Sequence, residues 1–124
     1  MTALARNTWP TVPRFLAGCY ALFIALFALD VLSAGTDFWT TLGAFAIHLI
    51  PAGFLVGVLM IAWRSDLLGG LLYLALGAAY VLATGGRMEP STYVLITGAL
   101  FLLGALFLVS WGVRRAPPGA APQR

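Results

Sequence analysis

The sequence predicts an all-α fold: a polytopic membrane protein whose four transmembrane helices form a bundle of two antiparallel hairpins, with both termini in the cytoplasm. Three observations carry this. Of 124 residues, 61% are hydrophobic and 9% charged, whereas soluble domains carry about a quarter charged residues. The mean hydropathy of +0.96 is correspondingly high. Four long apolar runs follow one another, each close to the ~20 residues that cross a hydrocarbon layer. Finally, the arginines fall almost entirely on one side of the layer that those runs define.

Residues 1–14 read as a short cytoplasmic tail containing Arg6, Pro10, Pro13 and Arg14. The first helix covers 15–34. Its length, the late Asp30 and the lack of an A-x-A cleavage pattern favour an uncleaved span over a signal peptide. The second helix covers 38–63, with Asp37 or Thr36 available as its cap, and Pro51 inside it as a kink point. The third covers 67–84, preceded by Ser65 and Asp66 as capping residues. The fourth covers 92–113, with Pro90 suited to its first turn and Glu89 to the positive end of its dipole. Together, 15–113 make a single four-helix domain joined by very short connections. The tail 114–124 is rich in Pro, Gly and Ala and reads as disordered and cytoplasmic.

Orientation follows from arginine placement. With both termini inside, Arg6, Arg14, Arg64, Arg114, Arg115 and Arg124 are cytoplasmic, and Arg87 alone is outside. Trp63, Arg64 and Trp111 sit at run edges and read as interface anchors. The expected location is the cell (inner or plasma) membrane, crossed several times. The lipid bilayer is then the first partner. A net charge of +3 is too small and scattered for a nucleic-acid footprint.

Helices in lipid associate through small residues that let backbones approach. Gly70, Gly77 and Thr84 share a face of the third helix with Tyr73 and Tyr80. Gly98, Ala105 and Gly112 share a face of the fourth, interleaved with Val94, Phe101 and Leu108. The first helix carries an alanine stripe (Ala17, Ala21, Ala25, Ala28) and the second a glycine–alanine stripe (Gly43, Ala46, Gly53, Gly57). At 100° per residue, Asp30 and His48 fall far from their helices' stripes. Asp30-Val-Leu-Ser-Ala-Gly35 also parallels Tyr80-Val-Leu-Ala-Thr-Gly85, the trace of a duplicated hairpin that would make Asp30 and Tyr80 equivalent.

Four residues form the candidate polar site within the membrane: Asp30, His48, Tyr73 and Tyr80. An acid in a span is a functional candidate, as a proton or ion site, and is equally read as a snorkelling or capped carboxylate. His48, the only histidine, reads either as a residue bonded to backbone or tyrosine, or as a proton relay or axial ligand. One histidine builds no metal site, and no metal or cofactor is expected. The tyrosines read as hydrogen-bonding core aromatics. Cys19, the only cysteine, excludes an internal disulfide and reads as a small buried apolar residue.

The string His48-Leu-Ile-Pro51, followed by Ala62-Trp63-Arg64, Gly69-Gly70 and Tyr73, with Asp30 upstream, resembles an uncharacterised family of small four-helix prokaryotic membrane proteins. The resemblance covers about Phe15 to Trp111. It implies one four-helix membrane domain and supplies no catalytic residue. Small multidrug exporters match in size alone, because their first-helix acid is a mid-helix glutamate.

Three functions follow as expectations. The first is a non-enzymatic structural or accessory component, as a homo-oligomer or within a larger membrane complex. The second is a small proton- or solute-conducting transporter or channel using Asp30 and His48. The third is a haem-binding electron-transfer subunit with His48 as ligand. An enzyme is not expected, because no connection has room for a water-exposed active site.

Overall fold

A connection of one residue fixes how two of the helices meet. In the computed structural model, which describes residues 8–34 and 37–116, helix α2 (Phe38–Arg64) ends and α3 (Asp66–Thr84) begins on either side of Ser65. Ser65 is extended, with φ −146° and ψ 107°. Its N–H donates to the Ile61 carbonyl at 3.0 Å, and its Oγ accepts from the Leu68 N–H at 3.4 Å. One residue thus closes one helix and caps the next. The return is so tight that a Cβ on Gly69 would overlap that of Ala62.

Helix α1 (Thr11–Asp30) precedes this pair and runs into a 3-10 turn, Val31–Ala34. Helix α4 (Pro90–Arg115) follows it, with a widened π turn over Val94–Gly98. All four are long and apolar enough to cross a membrane, and no strand occurs among the described residues. Helix α1 starts four residues before the apolar run at Phe15. Pro10 leads into it and Pro13 lies in its first turn, where a missing N–H leaves no helical acceptor unsatisfied. Helix α2 continues through Pro51. Helix α3 stops at Gly85, whose φ of +57° suits glycine and terminates the helix, its N–H closing on Val81. Pro90 opens α4 at its first position. Asp37 and Glu89 occupy N-cap positions without a side-chain capping bond. The expectations for residues 1–7, Thr36 and 117–124, including Arg6 and Arg124, lie outside the described residues.

The core joins Ala17 and Ala21 of α1, Leu55, Val58 and Ala62 of α2, Tyr73 of α3, and Leu100, Leu103 and Phe107 of α4. The Tyr73 and Phe107 rings stack with centroids 5.6 Å apart. Between α3 and α4 the backbones approach closely at Gly70 and Gly104. Leu108 lies over Gly70 and Phe101 over Gly77, so large side chains of α4 fill the gaps left by the glycines of α3. Contact order runs in opposite directions along the two helices.

Two of the stripes behave differently from expectation. On α4 the inward face carries Leu100, Leu103, Gly104 and Phe107, while Gly98, Ala105 and Gly112 are exposed. The seam lies about one residue round from the heptad of small residues. On α2 the glycine stripe points away from the core, and a Cβ on Gly43, Gly53 or Gly57 would meet nothing within 4 Å. The alanine stripe of α1 is used inward, with Ala17, Ala21 and Ala28 buried. Cys19, on the opposite side of α1, is exposed rather than buried.

Packing is densest toward the end that holds Arg14, Ser65 and Arg114. The buried residues of α2 all lie in its second half, from Ala52 to Ala62. Those of α3 end at Gly77 and those of α4 begin at Thr97. The outside of the molecule is apolar on all sides, with Phe54 62% and Leu82 81% exposed. Apolar exposure on this scale is foreign to a soluble monomer and natural against lipid.

Candidate functional site: a carboxylate shared by three helices

Asp66 is the first residue of α3, and its side chain is 2% exposed. The single-residue turn at Ser65 aims it between α1 and α4. Its Oδ1 accepts from Arg14 Nη2 of α1 at 2.9 Å. Its Oδ2 accepts from the Ser110 hydroxyl of α4 at 2.9 Å and pairs with Arg114 Nε at 3.3 Å. Ser110 and Arg114 stand four residues apart and therefore share a face of α4. Both ion pairs found among the described residues converge on this one acid. Arg14 is the more enclosed partner, its side chain 24% exposed against 45% for Arg114. Among the described residues, the Arg14 Nε and the Trp9 indole N–H nearby in sequence are buried without a hydrogen-bond partner.

A second polar group lies toward the other end. The Thr84 and Tyr93 hydroxyls are 2.7 Å apart, and the Tyr80 and Tyr93 rings meet edge to face at 6.0 Å. The Tyr20 hydroxyl donates to the carbonyls of both Leu95 and Ile96 at 3.4 Å. Those carbonyls belong to the π turn of α4, whose wider winding weakens the regular i→i+4 ladder and leaves oxygens for a phenol to reach. Thr97 in the same turn is 7% exposed, and its hydroxyl has no partner among the described residues.

The four residues singled out from the sequence are placed as follows. Tyr73 is fully buried and its hydroxyl donates to the Leu55 carbonyl at 3.1 Å, tying α3 to α2. Tyr80 is half-buried against Tyr93. Asp30 is exposed on the far side of α1, and its backbone carbonyl accepts from Ser33 Oγ at 2.7 Å. His48 is exposed, with Nδ1 2.8 Å from the carbonyl of Ala44, one turn back on its own helix. It continues the inward seam of α2, one turn before buried Ala52. No residue of α2 before Ala52 is buried. Among the described residues, no hydrogen bond or ion pair joins Asp30 or His48 to each other or to the tyrosines. Of the interface anchors, Trp63 and Arg64 are exposed at the end of α2. Trp111 lies beneath Arg115, whose guanidinium carbon is 4.5 Å from the ring centroid.

From the sequence Asp66 reads as a capping residue, with no local sign of Arg14, Ser110 or Arg114 as its partners. One signal was present. Asp66 is the only acid at the end of the helices that gathers Arg14, Arg64, Arg114 and Arg115, and an acid so surrounded is a natural ion-pair hub. The Ser110–Arg114 spacing would then have named the side of α4 that meets it.

A family model described as a domain of unknown function, DUF7670, matches residues 1–119. The chain belongs to this family. No similar curated protein and no similar solved structure was found. The match to the DUF7670 family takes in all four helices together with the residues that surround Asp66, from Arg14 to Arg114.

Proposed function

We propose that this chain is a multi-pass protein of the cell (inner or plasma) membrane, built as two antiparallel hairpins with both termini in the cytoplasm. In this reading it acts as a non-enzymatic structural or accessory component, associating with itself or with a larger membrane complex. The observation that carries the reading is the outward face of α2. Gly53 and Gly57, a small-xxx-small pair of the kind that packs helices in lipid, stand open with nothing within 4 Å of where a side chain would begin. With Ile50, Phe54 and Ile61 of α2 and Leu72 of α3 they line an apolar groove of about 550 Å³. A single chain leaves this helix-packing surface unfilled.

Two further features agree. The polar side chains with strong bonding capacity tie this chain's own helices together: Asp66 holds α1, α3 and α4, and Tyr73 holds α3 to α2. The distribution of charge supports the orientation, because Arg14, Arg64, Arg114 and Arg115 share one end and, among the described residues, only Arg87 lies at the other.

A photo-crosslinking amino acid at Phe54, in the groove, tests the reading in native membranes. Protein adducts at Phe54 and only lipid adducts at Leu82, an exposed residue of α3, are the expected pattern. Lipid adducts alone at both positions would contradict it.

A further inference from the structure

A cleft of about 340 Å³ opens beside the Asp66 cluster, lined by Thr11, Arg14 and Phe15 of α1 and Trp63 of α2. Its electrostatics are unbalanced. Arg14 and Arg114 share the single carboxylate of Asp66, so one positive charge of the three groups is uncompensated. The other described acids, Asp30, Asp37 and Glu89, all lie at the opposite ends of their helices. Arg64 is exposed beside Trp63 and adds to the excess. The Arg14 side chain is held by Asp66 through Nη2 yet stays 24% exposed and lines the cleft, so its positive charge faces whatever enters. Thr11 and Arg14, three residues apart, and Phe15, four from Thr11, share one face of the first turns of α1.

The cleft also has an apolar side. Phe15 is 70% and Trp63 66% exposed. A guanidinium and a threonine hydroxyl beside an exposed phenyl and indole suit a molecule with an anionic head and a hydrocarbon tail. We propose that this cleft binds the phosphate headgroup of an anionic phospholipid. The inference rests on the membrane reading given above and deepens it by naming a ligand. A free phosphate ion would use the same guanidinium but gain nothing from Phe15 and Trp63. A zwitterionic choline headgroup would bring a cation to a site already positive. Basic pockets between helices on the cytoplasmic side favour anionic headgroups on these grounds.

Native mass spectrometry of the full delipidated chain, titrated with phosphatidylglycerol, phosphatidylcholine or inorganic phosphate, tests the proposal. Arg14→Gln also unpairs Asp66, so the informative variant is Thr11→Ala with Trp63→Leu, which leaves the ion pairs in place. The expected result is one phosphatidylglycerol retained at about tenfold lower lipid concentration than phosphatidylcholine. In the double variant retention of phosphatidylglycerol falls at least several-fold, with unchanged helical circular dichroism. Equal retention of the two lipids, undiminished phosphatidylglycerol retention in the double variant, or displacement of phosphatidylglycerol by millimolar inorganic phosphate would each overturn the lipid site. Flotation with phosphatidylcholine vesicles separates the two levels. A chain that floats without lipid preference loses only this site, and a chain that does not float loses the membrane reading and the site together.

Discussion

Gly70 of α3 and Gly104 of α4 face each other so closely that a Cβ on either would come within about 3 Å of the other's carbonyl oxygen, at 3.0 Å and 2.9 Å respectively. Helices α2 and α3 also approach closely beside their one-residue turn, where a Cβ on Gly69 would meet the backbone of Ala62. Gly104→Val should therefore force α3 and α4 apart, because both the carbonyl of Gly70 and the side chain of Leu74 stand in the way. Overpacking of a tight contact costs about 1–3 kcal/mol. Thermal unfolding in detergent should show the loss, and Gly112→Ala, at an exposed position of α4 with open space, should not lower the midpoint.

Asp66→Asn removes the hub that Arg14, Ser110 and Arg114 share. Breaking a buried ion pair by removing one partner costs about 3–5 kcal/mol. The partial exposure of both arginines puts the expected loss at the lower end of that range. Arg114→Gln, at the more exposed partner, should cost no more than about 1 kcal/mol. A double-mutant cycle between Asp66 and each arginine, read by unfolding, should give the larger coupling for Arg14. Equal couplings would show that exposure does not rank the two pairs.

Asp30→Asn and His48→Leu should each leave unfolding stability in lipid nanodiscs within about 0.5 kcal/mol of wild type. Asp30 is exposed, and the His48 ring is bonded only within its own helix. A large loss in either variant would mean that the residue meets a partner in the membrane.

Tyr73→Phe deletes the hydroxyl that reaches the Leu55 carbonyl from a fully buried position. Hydrogen bonds between helices in membranes average about 0.6 kcal/mol, with an upper value near 1.7. The expected loss lies in that interval, because the ring and its stacking on Phe107 are kept. A larger loss would show that the bond also sets the register of α2 against α3.

These outcomes mark what could and could not be read from the sequence. The four helices were legible because a run of about 20 apolar residues has few alternatives in water or lipid. The inward face of α1 was legible from its alanines, and the fit of Leu108 and Phe101 over Gly70 and Gly77 from their matching intervals. The faces of α2 and α4 were not. Small residues mark a packing surface without saying which partner covers it, so Gly43, Gly53 and Gly57 look alike whether they face the core or away from it. The hub at Asp66 was hidden for a different reason. Its partners lie 52 and 44 residues away in Arg14 and Ser110, and local pattern at a helix start shows only a capping residue. His48 sits on the inward seam by periodicity, yet α2 buries no residue before Ala52, and no local signal announces where burial begins.

Fluorescence-detected size-exclusion chromatography of wild type, the Gly53→Leu/Gly57→Leu double variant and Asp66→Asn, extracted in mild detergent, tests the central claim most directly. The claim is that the outward glycine face of α2 serves assembly while Asp66 serves the fold. The account predicts a wild-type peak larger than one chain. The glycine variant should give a sharp peak of smaller size with wild-type helicity, since its new side chains enter open space. Asp66→Asn should lose peak height on mild heating. A glycine variant that elutes at the wild-type position would contradict the account, because the face that carries the proposed function would then have no partner.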